Sequence, residues 1–338
     1  MDEKLEEART IFERGYKHYE NGDYDSAITD YTAAIGIEPD AYEGMYYWRG
    51  RAYGYKEDYD NAIADFTSAI KIKPDFAEAL YWRGWVNVFK KDYDEAIPDF
   101  TTANELVPDD PYSMYGRGLA YYEKKDYDNA IADFTFALVI KPSIDEALYK
   151  RGLAYSKKED YDKAIADYTS ALEIKPDDLN YLCNRGRAYI EKKEYDKANV
   201  DAEKALQIKP NSIRAHRLIN RIKFQQSIKE NPDEAIAMIK RKLDDGGIGN
   251  IHWEVEDLSA ILEVKPDNLE CLEERAMIYE MMKKYDKAIA DWTTALGIKP
   301  NDPEYLGKRA DIYRKIGDHD KATADLEKIR EQAKLQPN

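Results

Sequence analysis

The sequence predicts an all-α protein built as a solenoid of antiparallel helix pairs. Three observations carry this. The segment YD-x-A-I-x-D-[FY] recurs with its Ala at 27, 62, 96, 130, 164 and 198, spaced 35, 34, 34, 34 and 34 residues apart. It resumes at Ala288 and Ala322 with the same spacing of 34. A fixed period of about 20–50 residues marks a stacked repeat architecture. Each period also holds two apolar stripes at helical spacing, as in Leu148 and Tyr155 followed by Ala164, Ile165, Tyr168, Ala171 and Leu172. Finally, a proline recurs near the end of each period, where it cannot continue a helical hydrogen-bond ladder.

Numbering each period 1 to 34, with the recurrent Ala at 20, gives every element its reason. The first helix carries a small residue at slot 8: Gly15, Gly50, Gly84, Gly118, Gly152, Gly186, Ala276 and Ala310. Short polar turns such as Asn21-Gly22-Asp23 and Lys90-Lys91-Asp92 follow, with the Asp available as a helix cap. The second helix opens at slot 17 with Tyr24, Tyr59, Tyr93, Tyr127, Tyr161, Tyr195, Tyr285 and His319. It places Tyr31, Phe66, Phe100, Phe134, Tyr168, Ala202, Trp292 and Leu326 at slot 24. The small residues at 8 and 20 let the two helices approach closely. The second helix stops before slot 32, which is Pro39, Pro74, Pro108, Pro142, Pro176, Pro210 and Pro300, with Pro266 in a weaker period. Pro98, inside the second helix of period three, predicts a bend or a missing bond to the Asp94 carbonyl. One helix pair cannot bury its faces alone, but a stack can.

Slot 7 is Arg14, Arg49, Arg83, Arg117, Arg151, Arg185, Arg275 and Arg309, and slot 23 is Asp30, Asp65, Asp99, Asp133, Asp167, Asp201, Asp291 and Asp325. An arginine ladder for phosphate is one reading. The matched occurrence of both residues favours the other, that each Arg pairs with an Asp inside the stack, because a partly buried Arg needs a carboxylate.

These slots together resemble the tetratricopeptide repeat family over nearly the whole chain. The resemblance implies a right-handed superhelix of about nine helix pairs whose first helices line a concave face at slots 2, 5, 9, 12 and 13. It also describes a branch that clamps a C-terminal carboxylate with Lys at 5, Asn at 9, Asn at 6 of the next repeat, then Lys at 2 and Arg at 6 of the third. Here slot 5 is Phe12, Tyr47, Tyr81, Tyr115, Tyr149 and Cys183, and Asn184 alone fits a clamp slot by type, so that mode of binding is not expected.

Three segments are expected: a block of six periods over 1–212, an irregular junction over 213–268, and two periods over 269–338. The junction reads as helices near 213–229, 233–245 and 252–264, with the loop GGIGN before the last. Two registers compete in it. With Pro266 at slot 32, Arg241 and Asp257 recover the charged pair and 213–229 is an extra helix; this register is favoured. Alternatively 213–229 pairs with the helix that follows, and 252–264 is extra. The first of these helices carries Arg214, Arg217, Arg221, Lys223 and Lys229 without an acid before Glu230, beside the apolar Ala215, Leu218, Ile219 and Ile222. It reads as a junction helix, or as a basic face for a membrane or partner.

Composition excludes much else. The formal charge is −16, which disfavours nucleic acid and anionic membranes as partners. Residues 1–110 hold 25 acids and 12 bases, whereas 179–338 hold 29 of each, so the first block favours a basic partner. No run of 18 apolar residues predicts a membrane span, and MDEKLEEART is no secretory leader. A cytoplasmic location is therefore expected. Cys183 and Cys271 form neither a disulfide framework nor a zinc site. His18 and His319 stand in slots that other periods fill with Tyr. No nucleophile, phosphate-loop or metal motif appears, so no enzyme activity, cofactor or metal is expected.

What remains is surface. The 28 Tyr, against 8 Phe, recur on the first helices. With the concave face that the resemblance implies, Tyr47, Arg51, Tyr81, Trp85, Tyr115, Leu119, Tyr122 and Tyr149 become the candidate peptide-binding residues, since aromatic side chains bury large area at low entropic cost. The expected function is a non-catalytic scaffold for a protein or peptide. The alternative is a self-associating structural protein, a homo-oligomer built through the solenoid ends or the 213–268 segment.

Overall fold

The computed structural model describes residues 2–39, 42–244 and 251–335. These form helices and turns, without strands. Twelve helices make the first six pairs: α1 (Asp2–Glu20) with α2 (Tyr24–Ile37), α3 (Glu43–Tyr55) with α4 (Tyr59–Ile72), α5 (Ala77–Lys90) with α6 (Tyr93–Leu106), α7 (Pro111–Glu123) with α8 (Tyr127–Ile140), α9 (Asp145–Lys157) with α10 (Tyr161–Ile174), and α11 (Leu179–Glu191) with α12 (Tyr195–Ile208). Then come α13 (Ile213–Glu230), α14 (Pro232–Asp244) and α15 (Ile251–Val264). Two more pairs follow: α16 (Leu269–Met281) with α17 (Tyr285–Ile298), and α18 (Pro303–Lys315) with α19 (His319–Leu335). Contacts divide the chain into two compact units, Met1–Leu218 and Ile219–Asn338.

The expected ion pairs form in all eight periods that carry both residues. Each slot-7 Arg grips the slot-23 Asp of its own pair with two parallel bonds. In Arg117 these run from Nε to Asp133 Oδ2 at 2.8 Å and from Nη2 to Oδ1 at 2.7 Å. The sequence reading missed a third partner. Arg Nη1 donates to a hydroxyl at slot 25 of the preceding pair: Arg49 to Thr32, Arg83 to Thr67, Arg117 to Thr101, Arg151 to Thr135, Arg185 to Thr169, Arg275 to Ser259 and Arg309 to Thr293, all within 3.1 Å. One guanidinium thus ties its own second helix and the neighbouring one. In the first pair Arg14 keeps a side chain 63% exposed, against 22% for Arg117. A second ladder runs along the surface, where Lys56, Lys90, Lys124, Lys158 and Lys192 reach Asp25, Asp60, Asp94, Asp128 and Asp162 of the preceding pair.

Close helix approach follows from slot 8. A Cβ on Gly152 would sit 2.7 Å from Tyr168 Cε1, and one on Gly118 would sit 2.9 Å from Phe134. The slot-24 rings of the first five pairs are accordingly buried. Helix α6 runs unbroken through Pro98, although proline has no N–H to offer the Asp94 carbonyl.

The turns between paired helices reveal a feature not read from sequence. Slot 15 has positive φ in every regular pair, yet only Gly22 and Gly317 are glycines there. Glu57, Lys91, Lys125, Glu159, Lys193 and Lys283 adopt φ between 58° and 67°. The chain reverses as in Tyr121–Asp126, where Lys125 N–H bonds the Tyr122 carbonyl and Asp126 N–H bonds that of Tyr121. This closes the first helix with a left-handed residue. Asp126 then caps α8 by accepting from Asn129 N–H, as Asp23, Asp58 and Asp160 cap α2, α4 and α10.

In the second unit, Asp257 is held by Arg221 of α13, and Gln225 donates to its Oδ1 at 3.4 Å. The side chain of Arg241, its expected partner, lies outside the described residues, as does GGIGN. Phe224, Ile228, Ala235, Ile239, Leu258 and Ile261 share one core with Leu272 and Trp292. In the first unit Ala215 joins the core of Leu182 and Ala205, and Leu218 lies against Gly186.

Two measurements check this account. Arg117→Ala strands a buried Asp133 and should cost about 3–5 kcal/mol in urea unfolding, whereas Arg14→Ala removes a guanidinium that is 63% exposed and lets water reach Asp30, so it should shift the midpoint less. Conversely, Gly at the left-handed slot removes a steric cost of roughly 1–2 kcal/mol, offset by up to about 1 kcal/mol of chain entropy. Combining Glu57→Gly, Lys91→Gly, Lys125→Gly and Glu159→Gly should therefore raise the midpoint.

Candidate functional site

In the first unit, first helices of successive pairs touch one another (α1 with α3, α3 with α5, and on to α11), more than second helices do. First helices therefore lie on the inner side of that unit. Slots 5, 9 and 13 fall on that side one turn apart, because residues four apart share a helix face.

Of the candidates, Tyr47, Arg51, Tyr81, Trp85 and Tyr115 meet there in one layer. Arg51 Nη1 donates to Tyr47 Oη at 3.0 Å, and its guanidinium lies 3.9 Å from the centroid of Trp82. Tyr19, Tyr47, Trp48 and Tyr55 complete the surround at 5.5–5.8 Å. The layer continues from Trp82 to Tyr81 at 5.4 Å, then to Trp85 at 6.3 Å, and from Trp85 to Phe89 and Tyr115, each at 6.1 Å.

The candidates differ in what they leave free. Tyr47 is buried, 8% exposed, against Phe66 and Phe76, so it supports the layer from beneath. Tyr81, Trp85, Tyr115, Leu119, Tyr122 and Tyr149 are half-buried. Tyr149 stands at the far end, packed on Tyr168 and Tyr181 and accepting from Asn184 Nδ2 at 3.1 Å. Tyr122 lies near Tyr127. The most open rings at the concave slots are Tyr55 and Phe89 at slot 13, 54% and 58% exposed, and Tyr112 at slot 2, 43% exposed. The sequence reading missed Trp48 and Trp82, at slot 6. Their signal was present, since Trp at slot 6 occurs in two successive periods, but slot 6 was not counted with the concave slots.

Burial raises the phenols: Tyr115 and Tyr122 are each pushed up to about 12. They are hydrogen-bonding hydroxyls at neutral pH. The Arg51 guanidinium is held still higher than usual by the neighbouring Tyr47 and Tyr19, which outweigh its burial. The surface therefore offers ring faces, hydroxyls and one anchored cation.

Other expectations find their places. His18 lies 3.6 Å from Asp23 and 3.8 Å from Asp30, as part of the first pair's packing. Cys183 and Cys271 are buried free thiols. On α13, Arg214 bonds Asn180 and Arg221 bonds Asp257, so part of its basic charge is spent within the protein. Among the described residues no cluster could hold a metal ion, and no helix is long and apolar enough to cross a membrane.

Sequence models of the tetratricopeptide repeat match residues 8–41, 47–111, 118–159, 145–178, 180–212, 269–302 and 303–329. None of the curated proteins compared with the chain matches it in sequence. Among solved structures, the chain is similar to YrrB, described as a TPR protein with an unusual peptide-binding site. That match is 22% identical, covers 56% of this chain and 97% of that one, and has a TM-score of 0.50. The pilF protein of Pseudomonas aeruginosa is 17% identical over 64% of this chain and 98% of that one, with a TM-score of 0.55. The APC/C hetero-tetramer Cut9-Hcn1 is 21% identical over 64% and 42%, with a TM-score of 0.51. At these identities the likeness is one of fold.

Arg51→Ala removes the cation from the centre of the layer. A desolvated cation–π contact contributes about 2 kcal/mol, so urea unfolding should show a loss of that order, with a change in tryptophan emission from Trp48 and Trp82.

Proposed function

The chain belongs to the tetratricopeptide repeat family, and we propose that it is a non-catalytic scaffold that holds an extended peptide or protein segment against the aromatic layer of α3, α5 and α7. The observation that carries this reading is the continuity of that layer. Rings run from Tyr19 to Trp48, the Arg51 guanidinium bridges Trp48 and Trp82, and rings within 6.3 Å of one another continue from Trp82 through Tyr81 and Trp85 to Tyr115, while Tyr55, Phe89 and Tyr112 still face solvent. A contiguous exposed apolar surface of this kind marks an interaction site. The solenoid does not require it for folding. Corresponding slots of α16 hold Glu273, Met277 and Met281 instead of rings, and that pair keeps its Arg275–Asp291 tie.

Recognition follows from the chemistry. Ring faces cover apolar side chains, Tyr hydroxyls bond a peptide backbone, and the acidic balance of residues 1–110 favours a basic or neutral segment over an acidic one. In this reading the six pairs over 1–212 form the binding block, 213–268 is a junction, and 269–338 is a second, smaller block.

Tyr81→Ala with Trp85→Ala should weaken partner binding by about 2 kcal/mol or more, measured by calorimetry against a captured partner, with the helical circular dichroism retained. Binding that survives this double change and is lost on altering Arg217 and Arg221 would move the site to α13. A chain that instead forms a stable oligomer by light scattering, with no partner, would favour self-assembly.

A further inference from the structure

Slot 31 stands immediately before the closing proline, which holds it extended. Lys73 has φ −129° and ψ 92°, Lys141 −134° and 89°, and Lys175 −125° and 83°. From this conformation each amine reaches the start of its own pair's first helix. Lys73 lies 3.7 Å from Glu43 and 5.1 Å from the Phe76 ring. Lys141 donates to Tyr112 Oη at 2.6 Å. Lys175 meets Asp145 at 2.6 Å and Glu146 at 3.1 Å.

The third pair has the same backbone, φ −131° and ψ 79°, but the residue is Val107. No lysine fills the place there. What stands in it is a cleft of about 330 Å³, lined among others by Glu78, Tyr81, Trp82, Val107, Asp110 and Tyr112. Glu78 occupies the slot of Glu146 and is exposed. The Asp110 carboxylate caps α7 by accepting from Tyr112 and Ser113 N–H at 3.2 and 3.0 Å, and from Ser113 Oγ at 2.6 Å. No base lines the cleft; the amine of Lys141 is held on the Tyr112 hydroxyl.

We propose that this cleft binds a cation brought by the partner: a Lys or Arg side chain of the segment on the aromatic layer takes the place that an internal lysine fills in pairs two, four and five. The inference rests on the peptide-holding function above and names the partner's chemistry. Charge complementarity supports a basic occupant, since two carboxylates and three aromatic faces converge on the cleft, and ring faces attract cations. Two of those rings already carry a cation of the chain, Trp82 the Arg51 guanidinium and Tyr112 the Lys141 amine at 5.1 Å from its centroid, which leaves Tyr81 as the ring for the incoming cation.

A positional-scanning library of N-acetylated octapeptides, presented to the whole chain, tests it. Wild type should enrich Lys or Arg over Leu at one position by about tenfold. Val107→Lys, which supplies the missing internal amine, should abolish that preference, and Glu78→Gln should weaken it; urea midpoints check that both variants fold. Retained peptides without a basic preference would overturn the cation site and leave the peptide-holding function standing. A preference that survives both variants would also overturn it, because the cation is then read elsewhere. If no peptide is retained, or retention is unchanged in the Tyr81→Ala/Trp85→Ala variant, the peptide-holding function falls and the cation site falls with it.

Discussion

The rest of the structure depends on one interaction, the burial of a carboxylate at slot 23 against a forked arginine. Asp65, Asp99, Asp133, Asp167 and Asp201 are each at most 5% exposed. A charge so far from water is tolerated only when it is paired and its oxygens are bonded. The parallel Nε and Nη2 bonds meet that demand and fix the height of the first helix on the second. The remaining donor, Nη1, finds the slot-25 hydroxyl of the preceding pair, so the geometry inside a pair is transmitted to the next. Burial and pairing pull in opposite directions. Desolvation raises the Asp65, Asp99 and Asp167 carboxyls against the lowering effect of their arginines. At the first pair, where the Arg14 head is exposed, its bond holds Asp30 below its usual range. Asp30 therefore adds stability that is present above the unfolded carboxyl pKa and is lost as pH falls through its lowered value. The three inner carboxyls have the opposite sign.

Because that tie and the close approach at slots 8 and 24 fill the interface between helices, slots 5, 6, 9 and 13 are left to vary. In pairs two and three they are Tyr47, Trp48, Arg51, Tyr55, Tyr81, Trp82, Trp85 and Phe89; in pair five slots 6 and 13 are Lys150 and Lys157. The fold carries either set. Slot 31 behaves alike: proline fixes its backbone, and lysine or valine decides whether the start of the first helix is satisfied internally.

The break after α12 obeys the same constraint. Slot 25 there is Glu203, bonded by Asn199 at 2.6 Å, instead of a hydroxyl. The residue that would be the next slot-7 Arg in a continued register is Ile219. Where the hydroxyl acceptor is absent, its arginine is absent too. In the second unit Asp257 takes Arg221, from 36 residues earlier instead of the usual 16, while Ser259 still accepts from Arg275.

Much of this was legible in the sequence. Period, helix pairing, the closing proline and the Arg–Asp pairs follow from residues at constant separation, because a repeated unit meets the same neighbours every time. The Thr at slot 25 was equally periodic, yet its partner lies in the next pair, and only the stack brings them together. Positive φ at Lys91 or Lys125 could not be read, since neither is the glycine that usually announces it; the demand of the Tyr121–Asp126 turn overrides the residue's own preference. The sequence by itself determined which residues recur, and hence the architecture and the inward positions of Tyr81 and Trp85. Only the tertiary structure decided that Tyr47 is buried, that Arg51 is already occupied by five rings, and that Val107 leaves a cleft. Exposure and vacancy depend on which side chains arrive from neighbouring helices, and a linear period does not specify the space between them.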